Sequence, residues 1–470
     1  MRTARRVMIV LLFACGTLLL GAVVRVRGSV LRPAPRAPLV LGPVMLRSGS
    51  TPVQRAYVQI DDGRIASVSG TPPPGQALFG DRFVIPGLID AHVHLPPWFV
   101  PGQTDLFATL FLAHGVTTVR ETGSFGSRPF ALGDAITAGR SAGPRVIACG
   151  EVLDGDPPTW PLVRVVRDAA EAQAAVRDQI RRGARCIKVY GAISREALDA
   201  IRAEAHANRV PVVGHLPIAS GFHEEGIDEI EHVCDPRCWE MNRRDVATLV
   251  GTAERAGIAH TPTLVVFEGQ IRSYDYAANV ASPLAQLMPR VWRDVVWNPR
   301  FRLGFTPSRD DESQAREALH RQMLASVCDA VAGLHSAGVT IGAGTDPPNP
   351  FVVPGASLHE ELRALVRCGM TPAEALNAAT RQAATMLGVP GLGRIEAGAP
   401  ADLLVLREDP TRDLGALETL EAVVADGRLY ERRDLSAALV RQQVMLSSWW
   451  IDGPTVVIAR LVAESLSMSR

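Results

Sequence analysis

Short apolar runs alternate with amphipathic stretches in the middle of the chain. The stretches between the runs, such as DAAEAQAAVRDQIRRG and SREALDAIRAEAHANR, place apolar residues at helical spacing. The strand-like runs are FVIPGLIDAHVH, GVTTVRE, PRVIACG, ARCIKVYG, VPVVGHL, IDEIEHV, GIAHTPTLVV and GVTIGAGTD. Eight strands alternating with helices predict an α/β fold, with a (β/α)8 TIM barrel over residues 83–388. A doubly wound open sheet would show the same alternation, but no Gly-rich phosphate loop follows the first strand.

Two β-rich segments flank this middle region. Residues 39–82 include AYVQIDDGRIASVSG, which alternates apolar and polar positions around an Asp-Asp-Gly turn. Residues 389–434 include GAPADLLVLRED and LEAVVADGRLYERR, which are two further strand-like runs. We expect the two segments to pair into one small β-sandwich domain, so that the chain returns to its starting point after the barrel.

The two ends of the chain have a different character. Val7–Val24 is an uninterrupted apolar run with arginines on both sides, and as a helix it would be about 27 Å long, close to the thickness of a bilayer core. We interpret residues 1–30 as an uncleaved membrane anchor, with a cleaved signal peptide as the alternative. Either interpretation predicts a membrane-anchored, periplasmic or secreted protein. The C-terminal extension, residues 435–470, is apolar and predicts a packing helix pair, with a contact to the membrane surface as the alternative.

Charge and cysteine content narrow the possible functions. The chain has 49 basic and 49 acidic residues, and no long basic block occurs outside the N-terminus, which argues against a nucleic-acid partner. The seven cysteines include no C-x-x-C pair, and the nearest two, Cys234 and Cys238, lack partners at zinc-finger spacing. We therefore expect isolated thiols or a single disulfide.

Residues that can bind metal stand at the ends of the predicted barrel strands. In a TIM barrel the active site forms at the C-terminal ends of the strands. His92 and His94 are two positions apart, so both imidazoles point to one face and can share a metal. Lys188 is costly to bury as an ammonium, and carbamylation by carbon dioxide would turn its amine into a carboxylate ligand that bridges two metals. The other members of this set are His215, His232 and Asp346.

Each of these six residues alone has an ordinary structural explanation. A histidine at a strand end often forms only a structural hydrogen bond, and a lysine can extend its amine to solvent. Their coincidence at the same end of five strands favours a metal site.

The whole pattern resembles the binuclear amidohydrolase superfamily. The similarity is to its prolidase-like branch, related to imidazolonepropionases and to Xaa-Pro or Xaa-Arg dipeptidases, and it covers about residues 39–434. The segments that carry it are VIPGLIDAHVHL, HGVTTVRETG, GARCIKVYG, VVGHLP, EIEHV, AGTDPPNPFVVPGASLHEEL, TPAEALNAATRQAATMLG and GRIEAGAPADLLVL.

The resemblance implies a site with two divalent metal ions. By it, His92, His94 and Asp346 hold one ion and His215 and His232 hold the other, while carbamylated Lys188 and a hydroxide bridge the two. Asp346 would be the catalytic residue that takes the proton of the hydroxide and passes it to the leaving amine. Zinc is the expected metal for a His-rich site, and manganese, cobalt or iron would also fit.

Four further residues are weaker candidates. Tyr190, Arg120 and His359 could bind substrate, and Asp90 could support His92 or serve as a structural carboxylate. Many prolidase-like members carry a Gly-Gly-His segment after the third strand, but here the stretch is CGEVLDGDPPTWP and contains no histidine. This departure argues against a specific dipeptidase assignment.

The expected reaction is hydrolysis of the amide bond of a dipeptide, an N-acyl amino acid or a cyclic amide by the metal-bridging hydroxide. A lactonase or organophosphate hydrolase is the alternative, because the same hydroxide attacks esters. A deaminase fits less well, since those relatives lack the lysine ligand, and a non-catalytic relative would usually have lost ligands. The expected partner is a small-molecule substrate, and a homo-oligomer would suit the superfamily.

Overall fold

The computed structural model describes residues 28–47, 54–97, 100–124, 126–160, 162–218, 226–234, 238, 241–301 and 313–468. The predicted membrane segment Val7–Val24 lies outside these residues. Within the described part of the chain, no helix combines the length and apolar character needed to cross a bilayer.

Strands from both flanking segments join in one eight-stranded sheet, which also takes in Phe83–Pro86, the residues that were predicted to begin the barrel. Its strands are β1 Leu39–Leu46, β2 Gln54–Asp61, β3 Arg64–Ser69, β4 Ala77–Leu78, β5 Phe83–Pro86, β15 Leu403–Leu406, β16 Leu420–Ala425 and β17 Arg428–Glu431. The order is β17-β16-β15-β5-β1-β2-β3, with β4 beside β1. The two halves meet where β5 runs antiparallel to β15, with Phe83 opposite Leu406.

This sheet curls around a core of its own. Alternate side chains of its strands point inward and form a buried cluster, including Val58, Ile60 and Val405. Backbone hydrogen bonds between Ile65 and residues 398–399 bring β3 back to the chain that leads into β15. The two flanking segments thus share one curled sheet with a single apolar interior.

The middle of the chain contains parallel strands followed by helices. The strands are β6 Leu88–Val93, β7 Val116–Glu121, β8 Arg145–Ala148, β9 Leu153–Asp154, β10 Arg164–Val165, β11 Ile187–Val189, β12 Val212–Gly214, β13 Glu229–Glu231 and β14 Ala259–Thr261. One sheet has the order β6-β7-β8, and a second has the order β10-β9-β11-β12-β13-β14. All these pairs are parallel, as helical crossovers require.

Backbone hydrogen bonds connect the two sheets into a ring. The N–H of Arg185, just before β11, donates to the carbonyl of Ala148 at 2.9 Å, which joins β8 to β11. On the other side, the extended segment 340–345 lies between β14 and β6. The N–H of Gly342 donates to His260 at 2.9 Å, and the N–H of Ala91 donates to Ala343 at 2.9 Å. Residues 340–345 therefore occupy the place of the predicted eighth strand, as in a TIM barrel.

Helices follow most of these strands and cover the outside. Their bounds are Gln103–Ala113, Arg128–Thr137, Ala169–Arg181, Arg195–Ala207, Arg243–Ala256, Leu264–Ser273, Tyr276–Val280, Ser313–Ser336, Ala356–Arg367, Pro372–Ala378, Arg381–Met386, Arg432–Leu446 and Trp449–Met468. Shorter helical turns are Ala285–Leu287, Val291–Val296, Pro299–Phe301 and Leu414–Thr419. Their apolar faces share one large core with the parallel strands.

Six of the seven cysteines form disulfides. The pairs are Cys149–Cys186, Cys234–Cys238 and Cys328–Cys368. The expectation of isolated thiols or a single disulfide was therefore wrong. The first and third pairs join residues 37 and 40 positions apart, and nothing in their spacing indicates that they meet. Cys149–Cys186 adds a covalent link beside the single hydrogen bond that joins β8 to β11.

Candidate metal centre

Three of the predicted ligands converge at the C-terminal ends of the parallel strands. His92 lies in β6, His232 follows β13 directly, and Asp346 follows the extended segment 340–345. One ligand atom from each lies within 4.8 Å of the others, and all three side chains are buried. The carboxylate of Asp346 lies between the rings, with 3.6 Å from Oδ1 to His92 Nε2 and 3.7 Å from Oδ2 to His232 Nε2. A fourth ring, His94, places its Nε2 3.2 Å from Oδ1.

Each of these histidines is held through its Nδ1 atom. His92 Nδ1 lies 2.6 Å from Glu231 Oε2, and His94 Nδ1 lies 2.8 Å from the carbonyl oxygen of Gly123. His232 Nδ1 lies 2.5 Å from the hydroxyl of Thr263. A carboxylate or a carbonyl can only accept, so Nδ1 of His92 and of His94 carries the proton. In the neutral form of each ring, Nε2 is then a lone-pair donor that faces the Asp346 carboxylate.

The charges of the cluster favour a bound cation. Burial holds the pKa of His92 and of His232 well below the usual range, so both rings are neutral, as metal ligands must be. Burial alone would raise the pKa of Asp346, but its neighbours, among them the hydrogen bond with His94, bring it below its usual value, so the carboxyl is ionised. Burial lowers the pKa of His94, but the same carboxylate, 3.2 Å from its Nε2, raises that pKa above its usual value. The ionised carboxylate therefore attracts positive charge to this point, and a metal ion between the rings would supply it.

Lys188 lies in the barrel interior, on β11. Its side chain is completely buried, and its Nζ has no hydrogen-bond partner among the described residues. Burial lowers the pKa of Lys188, although the carboxylates of Glu231 and Asp346 oppose the shift. An amine without partners in this position is costly unless it is neutral or chemically modified.

The predicted second pair of histidines is also close. The His215 ring, just after β12, lies 4.8 Å from the His232 ring between centroids. The Tyr190 ring packs against His215 at 4.2 Å, and Lys188 Nζ lies 5.7 Å from the Tyr190 ring centroid. Tyr190 is half-buried, so it stands at the edge of the cluster where a substrate could reach it.

Asp90 joins the two chain segments that carry His92 and Asp346. It accepts hydrogen bonds from the N–H of His92 at 3.3 Å and from the N–H and hydroxyl of Thr345 at 3.0 and 2.5 Å. Burial raises the pKa of Asp90 to about 7, while the bonds from Thr345 oppose the shift. These hydrogen bonds go to the backbone of His92 and to Thr345, and none goes to a side chain of the cluster.

Arg120 is held by two glutamates inside the barrel. Its side chain is buried inside the barrel, where it donates to both oxygens of Glu229, to Glu231 at 2.9 Å and to the carbonyl of Ala91 at 2.7 Å. These contacts use all three nitrogens of the guanidinium. The structure therefore does not support Arg120 as a substrate-binding residue and gives it a structural position beneath the cluster.

His359 is likewise away from the cluster. It lies in the helix Ala356–Arg367, and its Nε2 lies 2.8 Å from the carbonyl oxygen of His114. Burial lowers the pKa of His359 to about 3, so the ring is neutral. It packs this helix against the one that ends at Ala113, and its position does not support a substrate-binding role.

Two carboxylates near the cluster were missed by the sequence reasoning. Glu231 orients His92, and Glu121 is fully buried at the end of β7, 3.9 Å from His94 Nδ1. Burial raises the pKa of Glu121 to about 7, opposed by His94 and by a hydrogen bond from Ser124. A signal was present for the first of these: two glutamates in the apolar run IDEIEHV cannot be buried without partners.

The backbone is strained where the cluster forms. His232, Thr263 and Asp346 all adopt positive φ angles, of 58°, 50° and 58°. Such angles are unfavourable for residues other than glycine and persist only where surrounding contacts impose them. They turn the chain sharply at the strand ends and aim the side chains at one point.

Fold and cluster together define a class of protein, an α/β enzyme of TIM-barrel type with a candidate metal site at its strand ends. The model of the amidohydrolase family matches residues 83–430, which is most of the chain. This chain belongs to the amidohydrolase family, as its motifs predicted, and it is a hydrolase acting on carbon–nitrogen bonds.

Individual relatives agree with this assignment. An uncharacterised protein of Mycobacterium tuberculosis is 27% identical over 397 residues, covering 79% of this chain and 91% of that protein. Ochratoxinase of Aspergillus niger is 28% identical over 361 residues, covering 66% of this chain and 64% of the enzyme. The solved structure of bottromycin amidohydrolase has a TM-score of 0.73 at 24% identity, covering 89% of this chain and 93% of that one, and it shows a shared fold.

Proposed function

We propose that this protein is a binuclear metal-dependent amidohydrolase that cleaves the amide bond of a dipeptide, an N-acyl amino acid or a cyclic amide. One observation carries the proposal. The buried histidines have Nδ1 engaged and Nε2 directed at one carboxylate, which is the orientation that metal-ligating histidines adopt.

The residues present fit two divalent metals. His92, His94 and Asp346 would hold one ion, and His215 and His232 would hold the other. We propose zinc, because imidazole and carboxylate donors suit it, with manganese, cobalt or iron as the alternatives. When bound, the ions would polarise the substrate carbonyl and make water a strong nucleophile at neutral pH.

Lys188 would complete the site after modification. Its neutral amine would add to carbon dioxide, forming an N–C bond and releasing a proton, to give a carbamate. The carbamate carries the negative charge that a bridging ligand needs, and it explains an amine buried without a hydrogen-bond partner in the described structure.

Asp346 is the proposed proton-transfer residue. Its ionised carboxylate would take a proton from the attacking water and deliver it to the nitrogen of the leaving amine. Tyr190, beside His215 and partly exposed, would contact the substrate carbonyl. The identity of the substrate depends on the loops after each strand, which vary most among enzymes of this fold.

Two lines of support concern substrate and location. Ochratoxinase and bottromycin amidohydrolase are both similar to this chain, and their names favour an amide as the bond that the enzyme cleaves.

Three disulfides favour an oxidising compartment. We therefore propose that the enzyme works outside the cytoplasm, as the apolar run Val7–Val24 also suggests.

The test combines metal content with turnover. The full-length protein, loaded with zinc or manganese, would be screened against dipeptides, N-acyl amino acids and lactones, and its metal measured by mass spectrometry. We expect two metal ions per chain and turnover of an amide. Asp346→Asn should lower kcat by about 10²–10⁴-fold. Asp402→Asn is the matched control, since Asp402 is equally buried but lies in the curled sheet.

Three results would count against the proposal. Less than one bound metal per chain would remove the hydrolytic mechanism. Turnover of lactones but of no amide would favour the esterase alternative. Equal loss of activity in both aspartate variants would show that burial, and not proton transfer, explains the effect of Asp346→Asn.

A further inference from the structure

The last two helices carry several large apolar side chains that are exposed. Trp449, Val457 and Leu461 are 85%, 56% and 62% exposed, and they lie at multiples of four residues along the helix Trp449–Met468, so they share one face. The preceding helix, Arg432–Leu446, contributes Val440 and Val444, also one turn apart and exposed. We call these five residues, with Ile458, the exposed apolar face.

The opposite side of the same helix is packed in the protein. Ile451, Val456 and Ala459 belong to the main core. Asp452 is buried and accepts a hydrogen bond from Arg290 at 2.9 Å. The helix is therefore fixed in place, and the fold itself does not require an apolar outer face. Exposed apolar surface of this extent usually marks an interaction site.

Within the stretch that carries the face, the exposed charges are basic. Between Leu435 and Leu461 the two basic residues, Arg441 and Arg460, are exposed, whereas the single carboxylate, Asp452, is buried. An apolar helix face with tryptophan and flanking arginines suits the boundary between lipid headgroups and acyl chains, where anionic lipids attract the arginines.

The first residues that the structure describes lie beside this face. The hydroxyl of Ser29 donates to Met445 Sδ at 3.3 Å, and Leu31 shares the main core with Met445. Met445 adjoins Val444 in the chain and precedes Trp449, the first residue of the next helix, by four positions. From Val24 to Ser29 the chain can span at most about 18 Å. If Val7–Val24 enters a membrane, the exposed apolar face must lie close to the surface of that membrane.

We propose that the exposed apolar face rests on the lipid bilayer into which the N-terminal segment inserts, so that the enzyme contacts the membrane at two adjoining places. The second contact fixes the orientation of the barrel relative to the membrane, which a single anchoring segment would leave free. This proposal does not depend on the substrate or the metal.

Depth-dependent quenching tests it on the full chain. Two single-cysteine labelling sites, Val457→Cys and the control Leu162→Cys, would be introduced with Cys15→Ser, so that no other free thiol remains. Leu162 is 51% exposed, close to the 56% of Val457, but lies in the loop before β10. Each protein, carrying a fluorescent label, would be reconstituted at fewer than one chain per vesicle in phosphatidylcholine with phosphatidylglycerol.

We expect nitroxide-bearing lipids to remove most of the fluorescence at position 457 and little at position 162. Iodide in the water should do the reverse. Equal quenching of both labels by iodide would overturn the proposal. The proposal would also be overturned if the label at position 457 were protected from iodide but not quenched by the nitroxide lipids. That result would mean that the N-terminal segment of the same chain covers the face. Protection that arises only at high protein density would show that a second copy covers it.

Discussion

Replacing Arg120 by methionine tests the structural interpretation of this residue against the substrate-binding one. The guanidinium donates three hydrogen bonds to two buried carboxylates, those of Glu229 and Glu231, and a fourth to the carbonyl of Ala91. Methionine keeps much of the side-chain volume but removes every donor. The variant therefore leaves two carboxylates facing each other inside the barrel.

The expected loss of stability is large. Removing one partner from a buried ionic network leaves uncompensated charge and lowers the free energy of unfolding by about 3–5 kcal/mol. The upper end applies here, because two carboxylates lose their cation and both are 4% exposed or less. The same change at an exposed ion pair would cost about 1 kcal/mol or less.

The loss should also depend on pH. Burial already raises the pKa of Glu229, although Arg120 opposes this shift, and without Arg120 the pKa rises further above its value in the unfolded chain. The folded variant then binds a proton that the unfolded chain releases, so its stability falls as pH rises through that interval. The difference between variant and parent protein should be smaller at about pH 5 than at about pH 8.

Urea unfolding at several pH values measures this difference, and steady-state kinetics of the metal-loaded enzyme supplies the comparison. A structural Arg120 predicts a lower unfolding midpoint and a KM that stays within a few-fold of the parent value. A strongly raised KM with an unchanged unfolding midpoint would refute this reasoning and restore the substrate-binding hypothesis. Arg120→Lys, which keeps one cation, should fall between the two proteins in stability.

Two further predictions concern metal affinity and covalent stability. Glu231→Gln should weaken metal binding by about 10–100-fold, because an amide offers His92 no charged acceptor. Competition with a chelator would measure the affinity, and an unchanged affinity would contradict the orienting role of Glu231. Replacing both Cys149 and Cys186 by alanine should lower the free energy of unfolding by about 3–4 kcal/mol, since the bond closes a long loop. Removal of Cys234–Cys238, which closes a loop of only a few residues, should cost less in the same urea titration, and an equal cost would argue against the loop explanation.

The sequence indicated which side chains would converge at the strand ends, because strand periodicity is a local rule and a barrel places all its strand ends on one side; that these side chains bind metal stays a prediction. His92 and His94 had to share a face, and residues after parallel strands had to meet at one end. The structure brings His92, His232 and Asp346 together as those rules require. Which ligand belongs to which metal stays a prediction.

Long-range partners could not be predicted in the same way. Arg120 lies 109 residues before Glu229, and only the closed arrangement of strands brings the two side chains together. The disulfides have the same origin, since Cys149 and Cys186 meet because their strands are neighbours. Arg120 looked like a substrate ligand because a cation at a strand end can point either into the barrel or out of its mouth. The position of the carboxylates that pair with Arg120 determines which of the two directions its side chain takes, and no rule on sequence spacing identifies those carboxylates.

The curled sheet has a consequence for how the protein is made. Strand β5 pairs with β15, with Phe83 opposite Leu406, so this pairing cannot form until the entire barrel between the two strands has been synthesised. Contacts between such distant positions form slowly. Until then β5 leaves one of its edges without its final neighbour, and an open edge invites pairing with another chain. A nascent polypeptide of this enzyme is therefore most prone to aggregate late in its synthesis, and a product truncated before β15 would keep that open edge permanently.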